Sequence, residues 1–190
     1  MKIKVRVADP AGNITIFVMT ALEKESYPGI ARQILERQEL GGEQVAFVER
    51  TEQGTLRMEM MGGEFCGNAS RSFAYLLCQL SGRERQECLV DVSGSPKPLR
   101  AVADTVKKTS QVDMPLPKET RLLELGPGEI YDMIVFDGIC HIIVPGKPKK
   151  GEFVEKLLEK AKAECPCGAW GIMFLEREQL IPAVYVESTD

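Results

Sequence analysis

Met60-Met61-Gly62-Gly63-Glu64-Phe65-Cys66-Gly67-Asn68-Ala69-Ser70-Arg71 is the stretch around which the chain organises itself. Just upstream, Leu56, Met58 and Met60 alternate with Arg57 and Glu59, the period of two of a half-buried strand. Gly62-Gly63 breaks the alternation, because glycine takes backbone angles that other residues avoid. From Asn68 the spacing changes. Ala69, Phe73, Leu76, Leu77 and Leu80 recur at three and four residues, which is helical. Ala74, Tyr75 and Cys78 make the other faces apolar, so this helix is expected to be buried and wrapped by other elements. Ser81-Gly82 ends it, with Gly82 as the C-cap.

Strand, glycine turn and helix together place Cys66 at a helix amino terminus. The free amides and the helix dipole there favour negative charge, so they suit a thiolate and can also hold a carboxylate. A cysteine is equally a small hydrophobe that is often buried and inert. The glycine turn before Cys66 and the small residues after it favour function, since they leave backbone open to a ligand.

Phe65-Cys66-Gly67-Asn68-Ala69-Ser70-Arg71 resembles the first catalytic-cysteine motif of the diaminopimelate epimerase-like family, amino-acid racemases and epimerases that work without pyridoxal phosphate. Within that superfamily the chain is similar to the histidine-racemase type of opine-metallophore pathways. Asp9-Pro10-Ala11-Gly12-Asn13, followed by a strand, is similar to the family's first substrate-binding turn. Glu43-Gln44-Val45 resembles a glutamate segment of the histidine-racemase branch. The likeness covers the front part of a family member.

Outward from this stretch, the composition sets limits. The 190 residues suit one ordinary domain or two small ones, and 44% hydrophobic content supports a real core. A net charge of −4 without a basic stripe gives no support for nucleic-acid binding. The alternating start, Met1 to Val7, is not a signal peptide, and no apolar run has membrane-spanning length. Six cysteines without a secretion signal suggest reduced thiols in a cytoplasm.

The first half predicts strands at Ile3 to Ala8 and Ile14 to Met19, a helix from Pro28 to Leu40, and strands at Gln44 to Glu49 and Leu56 to Met61. After the Cys66 helix come strands at Glu87 to Val92, Leu99 to Thr105 and Gln111 to Met114. Prolines 115 and 117 then mark a linker. Beyond it, Ile130 to Phe136 and His141 to Val144 form a hairpin, Glu152 to Ala163 an amphipathic helix, and Gly171 to Leu175 and Ile181 to Glu187 two strands. The second series repeats the first at an offset of roughly 125 residues. On that offset the counterpart of Cys66 falls just past Asp190. The expected fold is therefore α+β, with two similar domains, each a mixed or antiparallel sheet wrapped around a central buried helix. The first spans 1–114, the linker 115–120, and an incomplete second domain 121–190.

A racemase must take a proton from one face of the α-carbon and return one to the other. The resemblance implies two cysteines facing each other across an interdomain cleft, with Cys66 as one. It also implies catalytic roles for His141, near the first cysteine, and Glu43, and substrate contacts at Asn13, Gly67 and Asn68. Without it, Asn13 is a turn residue, Glu43 a surface acid and His141 a half-buried strand residue. Diaminopimelate epimerases usually carry asparagine two residues before this histidine, where Ile139 stands here, which favours another amino acid such as histidine. No cofactor and no metal are expected. Cys165-Pro166-Cys167, even with Cys140 and His141, matches no common zinc spacing, and Cys78 and Cys88 are most simply structural. The partner is a small amino-acid substrate, with a homodimer left open. A non-catalytic amino-acid-binding relative and a Cys66/His141 thiol acyl-transfer enzyme are the alternatives.

Overall fold

The computed structural model describes residues 2–10 and 12–186; Ala11, in the first turn, and Glu187, in the last expected strand, lie outside these. The chain is α+β and divides into two compact units, Met1–Pro115 and Leu116–Asp190.

The first unit holds a seven-stranded sheet in the order β1 (Val5–Ala8), β2 (Thr15–Val18), β3 (Gln44–Arg50), β4 (Leu56–Met60), β5 (Arg85–Val92), β6 (Leu99–Asp104) and β7 (Thr109–Val112). Two neighbouring pairs are parallel, β2 with β3 and β4 with β5. Parallel neighbours need a crossover, and each crossover here carries a helix. α1 (Tyr27–Leu35) joins β2 to β3, and α2 (Gly67–Ser81) joins β4 to β5. The central strands are buried on both faces. Ile16, Val18, Val45 and Phe47 pack with Tyr27, Ala31 and Ile34 of α1. The alternate residues Phe17, Ala46 and Val48 pack in the cluster that holds Ala69, Phe73, Ala74 and Leu76 of α2. Phe73 is fully buried, its ring 6.2 Å from that of Phe17.

The second unit is a five-stranded sheet in the order β12 (Gln179–Val186), β11 (Ala169–Glu176), β10 (Ile139–Pro145), β9 (Glu129–Val135) and β8 (Glu119–Gly126). β10 and β11 are parallel, with α3 (Glu152–Glu164) as their crossover. Val154, Leu157 and Ala161 of α3 share a core with Cys140, Ile142 and Val144 of β10 and Trp170, Ile172 and Phe174 of β11. The series β9-β10-α3-β11-β12 repeats the order and pairing sense of β1-β2-α1-β3-β4. Corresponding elements begin at Val5 and Glu129, Thr15 and Ile139, Tyr27 and Glu152, Gln44 and Ala169, and Leu56 and Gln179.

Two elements and one residue differ from the sequence expectation as follows. The helix expected over Pro28 to Leu40 ends at Leu35, and Gln38–Leu40 form a separate 3₁₀ turn closed by Gly41 at φ 59°. Glu119 and Thr120, within the span expected as linker, begin strand β8. Its sequence carries one fully buried apolar residue, Leu123, so alternation gave little signal there. Leu80, expected on the apolar side of the central helix, is half exposed at its last turn.

Gly94 has φ +67°, and a Cβ there would overlap the backbone of Glu64 and Phe65. Gly94→Ala should therefore lower stability by about 1–3 kcal/mol, read as a lower denaturant midpoint with an unchanged m-value.

Candidate functional site

Cys66 is the N-cap of α2, with φ −131° and ψ 112°, so its backbone is still extended where the helix begins. Its carbonyl accepts the first intrahelical bond, from the Ser70 N–H at 2.9 Å, and also the Ser70 hydroxyl at 2.7 Å. Its Sγ accepts the Ala69 N–H at 3.4 Å. A helix start leaves its first amides without intrahelical partners. The Ala69 amide is capped by the sulfur, which leaves Gly67 and Asn68 as the amides that open the helix.

The joint is held from behind. The Ser93 hydroxyl accepts the Met60 N–H at 2.9 Å and donates to the Glu64 carbonyl at 2.8 Å. It thereby fastens both sides of the Gly62-Gly63 turn to the end of β5. Gly67 packs against Met114, whose Sδ would lie 3.0 Å from a Cβ at that position.

The other side of the sulfur faces Gln44. The Cys66 thiol donates to Gln44 Oε1 at 3.3 Å. Gln44 Nε2 donates to Asn13 Oδ1 at 2.8 Å and to Thr15 Oγ1 at 2.7 Å. With two acceptors on its nitrogen, the amide is oriented with its oxygen toward the sulfur. β3 runs antiparallel to β4, so the start of β3 lies beside the end of β4, where Cys66 follows. Along β3, Gln44 shares a face with Ala46 and Val48, the α2 side, and pairs with Thr15 in the parallel register.

Asn13, Cys66 and Gln44 are thus brought into one hydrogen-bonded chain. Asn68 is tied in separately: Arg71 Nε donates to Asn68 Oδ1 at 3.1 Å, and Arg71 Nη2 to the Pro10 carbonyl at 3.2 Å. Arg71 therefore links the start of α2 to the Asp9–Asn13 turn, where the Gly12 N–H closes on Asp9 Oδ1 at 2.6 Å. Glu43 is exposed just before β3, its N–H bonded to the Ile14 carbonyl at 3.0 Å. Strand alternation turns residue 43 away from the face that Gln44 presents to Cys66. Sequence reasoning quoted Gln44 and Arg71 without giving either a role. The parity of β3 was the signal that could have found Gln44.

His141 lies in the second unit. It faces Gly171 across the β10–β11 register, and its ring meets Phe136 edge-on at 5.6 Å between centroids. A Cβ at residue 171 would collide with its Nδ1, which is buried without a hydrogen-bond partner. Burial pushes the imidazole pKa below its ordinary value. Cys140, its neighbour in sequence, points to the opposite face, toward Cys165 and Cys167. The structure therefore gathers three cysteines and separates His141 from them.

No described helix is long and apolar enough to cross a membrane.

The model of the histidine racemase CntK N-terminal domain matches residues 2–190. A histidine racemase of Fusobacterium nucleatum subsp. nucleatum (strain ATCC 23726) is 32% identical over 203 residues, covering 98% of this chain and 75% of its own length. A histidine racemase of Staphylococcus aureus (strain Mu50) is 25% identical over 191 residues, covering 94% of this chain and 69% of its own length. A crystal structure from Clostridium difficile (strain 630), described as a phenazine biosynthesis PhzC/PhzF protein, matches with a TM-score of 0.55 at 13% identity. It covers 97% of this chain and 72% of that one, a likeness of fold.

Because burial lowers the His141 pKa, the unfolded chain takes up a proton at a higher pH than the folded one. Stability should be full above about pH 6.5 and fall as the pH drops below it. His141→Gln should flatten the stability profile between pH 7 and 5.5, measured by denaturant unfolding.

Proposed function

The chain belongs to the family of the histidine racemase CntK N-terminal domain, and from that premise we propose that it serves an amino-acid racemase reaction in which Cys66 exchanges the α-proton, with histidine as the first candidate substrate. The observation that carries the reading is the setting of the Cys66 sulfur between the Ala69 N–H and the Gln44 carbonyl oxygen. The thiol has an acceptor for its proton in Gln44, and the thiolate has a donor in Ala69. The sulfur is therefore provided for in both states, as a reversible acid/base must be.

In this proposal the substrate carboxylate rests on the Gly67 and Asn68 amides at the start of α2, which brings the α-carbon beside Sγ. The Cys66 thiolate takes the α-proton and becomes a thiol. The electron pair left on the α-carbon delocalises into the carboxylate, where the helix terminus stabilises the growing charge. A second acid/base group then delivers a proton to the opposite face and inverts the centre. In the reverse direction Cys66 is the donor. Gln44 is a positioning residue that aims the thiol, and Asn13 fixes Gln44 while lining the same turn. The chemistry needs thiols and amides, and no cofactor is assigned. His141 and Glu43 keep the roles that the resemblance implies. For the fold we propose the diaminopimelate epimerase-like arrangement, which the packing of α2 on the seven-stranded sheet supports.

The test uses the protein expressed from its native reading frame, with histidine in D2O, following deuterium entry at the α-carbon by proton NMR. Cys66→Ala should lower exchange by at least about 10²-fold with an unchanged circular dichroism spectrum. Undiminished exchange in Cys66→Ala removes Cys66 from the mechanism. Gln44→Ala should lower kcat by about 10–100-fold with a smaller effect on KM, because it misplaces the thiol rather than the substrate.

A further inference from the structure

Three cysteines that the proposed reaction does not use converge in the second unit. Cys140 is the second residue of β10, Cys165 caps α3, and Cys167 follows one proline later, just before β11. Their sulfurs all lie within 4.8 Å of one another. Cys140 and Cys165 are buried, with relative exposures of 0% and 6%, whereas Cys167 is partly exposed. All three are free thiols. The backbone holds the group in place. The Cys165 N–H donates to the Ala161 carbonyl at 2.8 Å, the Trp170 indole N–H to the Cys165 carbonyl at 2.9 Å, and the Cys167 thiol to the Ala169 carbonyl at 3.0 Å.

We propose that Cys140, Cys165 and Cys167 form a trithiolate site for one soft, thiophilic metal cation. A zinc ion about 2.3 Å from each sulfur would hold the sulfurs about 3.8–4.0 Å apart. The observed cluster needs to contract by less than about an ångström to reach that spacing. Thiolate sulfur selects zinc and copper(I) over magnesium or calcium. A shallow cleft lined by Lys162, Pro166, Cys167 and Trp170 opens beside Cys167 and gives the cation a way in. Three thiolates on a divalent cation leave one negative charge, and Lys162, its Nζ 5.1 Å from the centre of the Trp170 ring, stands on the wall of that cleft.

Burial first, then the neighbouring Cys167 and Cys165, push the Cys140 thiol up, and burial is also the largest influence raising Cys167. Binding replaces the three S–H bonds of the free thiols with three sulfur–metal bonds. The three protons and the cation's displaced waters pass to solvent, and no electron is transferred. His141 takes no part, because it projects from the other face of β10.

The probe is Cd2+, titrated without oxygen into the reduced protein expressed from its native reading frame, after reductant and chelator have been removed. The expected result is saturation at one equivalent with a thiolate-to-cadmium ultraviolet band. Cys140, Cys165 and Cys167 should become protected from alkylation while Cys66 remains reactive. Cys167→Ser, at the partly exposed position, should weaken binding by at least about tenfold and reduce the band, with an unchanged circular dichroism spectrum. Cys140→Ala should do the same, and Cys167→Ser carries the test if that core variant fails to fold. Equal affinity in Cys167→Ser, protection of Cys66 instead, or no binding to the reduced protein would each overturn the proposal. Oxidation that joins two of the three sulfurs in a protein that binds no Cd2+ would identify a redox pair and overturn it too.

Discussion

β4 and β5 run parallel, and that constraint shapes everything around the candidate site. Parallel neighbours cannot be joined by a tight turn, so the chain must leave the end of β4, cross a face of the sheet and return. α2 makes the crossing, and burying Ala69, Phe73, Ala74 and Leu76 drives it onto the sheet. The amino end of a helix is then fixed at the end of a strand. Gly62 and Gly63 turn the chain there, and Ser93 bonds to both sides of the turn. Cys66 occupies the single position where the chain changes from strand to helix. Its sulfur can cap the helix because its own backbone is still extended.

The antiparallel pairing of β3 with β4 supplies the other half of the site. It brings the first residue of β3 beside the glycine turn that follows β4, and alternation selects which side chain points inward. Gln44 points toward α2; Glu43, one residue earlier, does not. An amide suits this position in a way a carboxylate would not. A carboxylate beside the sulfur would oppose the thiolate at short range, whereas the amide oxygen accepts the thiol proton and carries no net charge. Asn13 and Thr15 hold the amide nitrogen, so the oxygen cannot turn away without losing two hydrogen bonds. The network thus specifies both the position of the sulfur and the polarity of its neighbour.

The strand, glycine turn and helix around Cys66 were legible in the sequence because each has a different periodicity. Gly82 closes α2 at φ 71°, in the left-handed conformation that the Ser81-Gly82 signal implied. The break after Leu35 was hidden, because Leu40 continues an apolar spacing that a helix could use. β8 was hidden because an edge strand with one fully buried apolar residue has almost no alternation to read. At the site, motif likeness named Cys66, Gly67, Asn68, Asn13 and Glu43 but could not choose which residue at the start of β3 meets the sulfur, as Gln44 does. That choice depends on which face of β3 packs on α2, a tertiary fact. The three-cysteine cluster was illegible for a related reason. Cys140 is 25 residues from Cys165 in the sequence, and only the parallel pairing of β10 with β11 brings them together.

The two units show how one topology can place cysteines in different settings. In each, a hairpin leads to a helix, and the helix returns the chain to a strand parallel to the hairpin's second strand. The return loop is the variable part. In the first unit it holds the 3₁₀ turn and Gly41-Gly42, and it ends by presenting Gln44 to a cysteine on the next crossover. In the second unit it is Cys165-Pro166-Cys167-Gly168, and it ends against a cysteine at the start of the adjacent strand. The first arrangement leaves its sulfur at an open helix end, with a donor on one side and an acceptor on the other. The second places sulfurs against one another in a largely apolar core. The first setting suits the proton exchange proposed for Cys66, and the second suits the soft cation proposed for Cys140, Cys165 and Cys167.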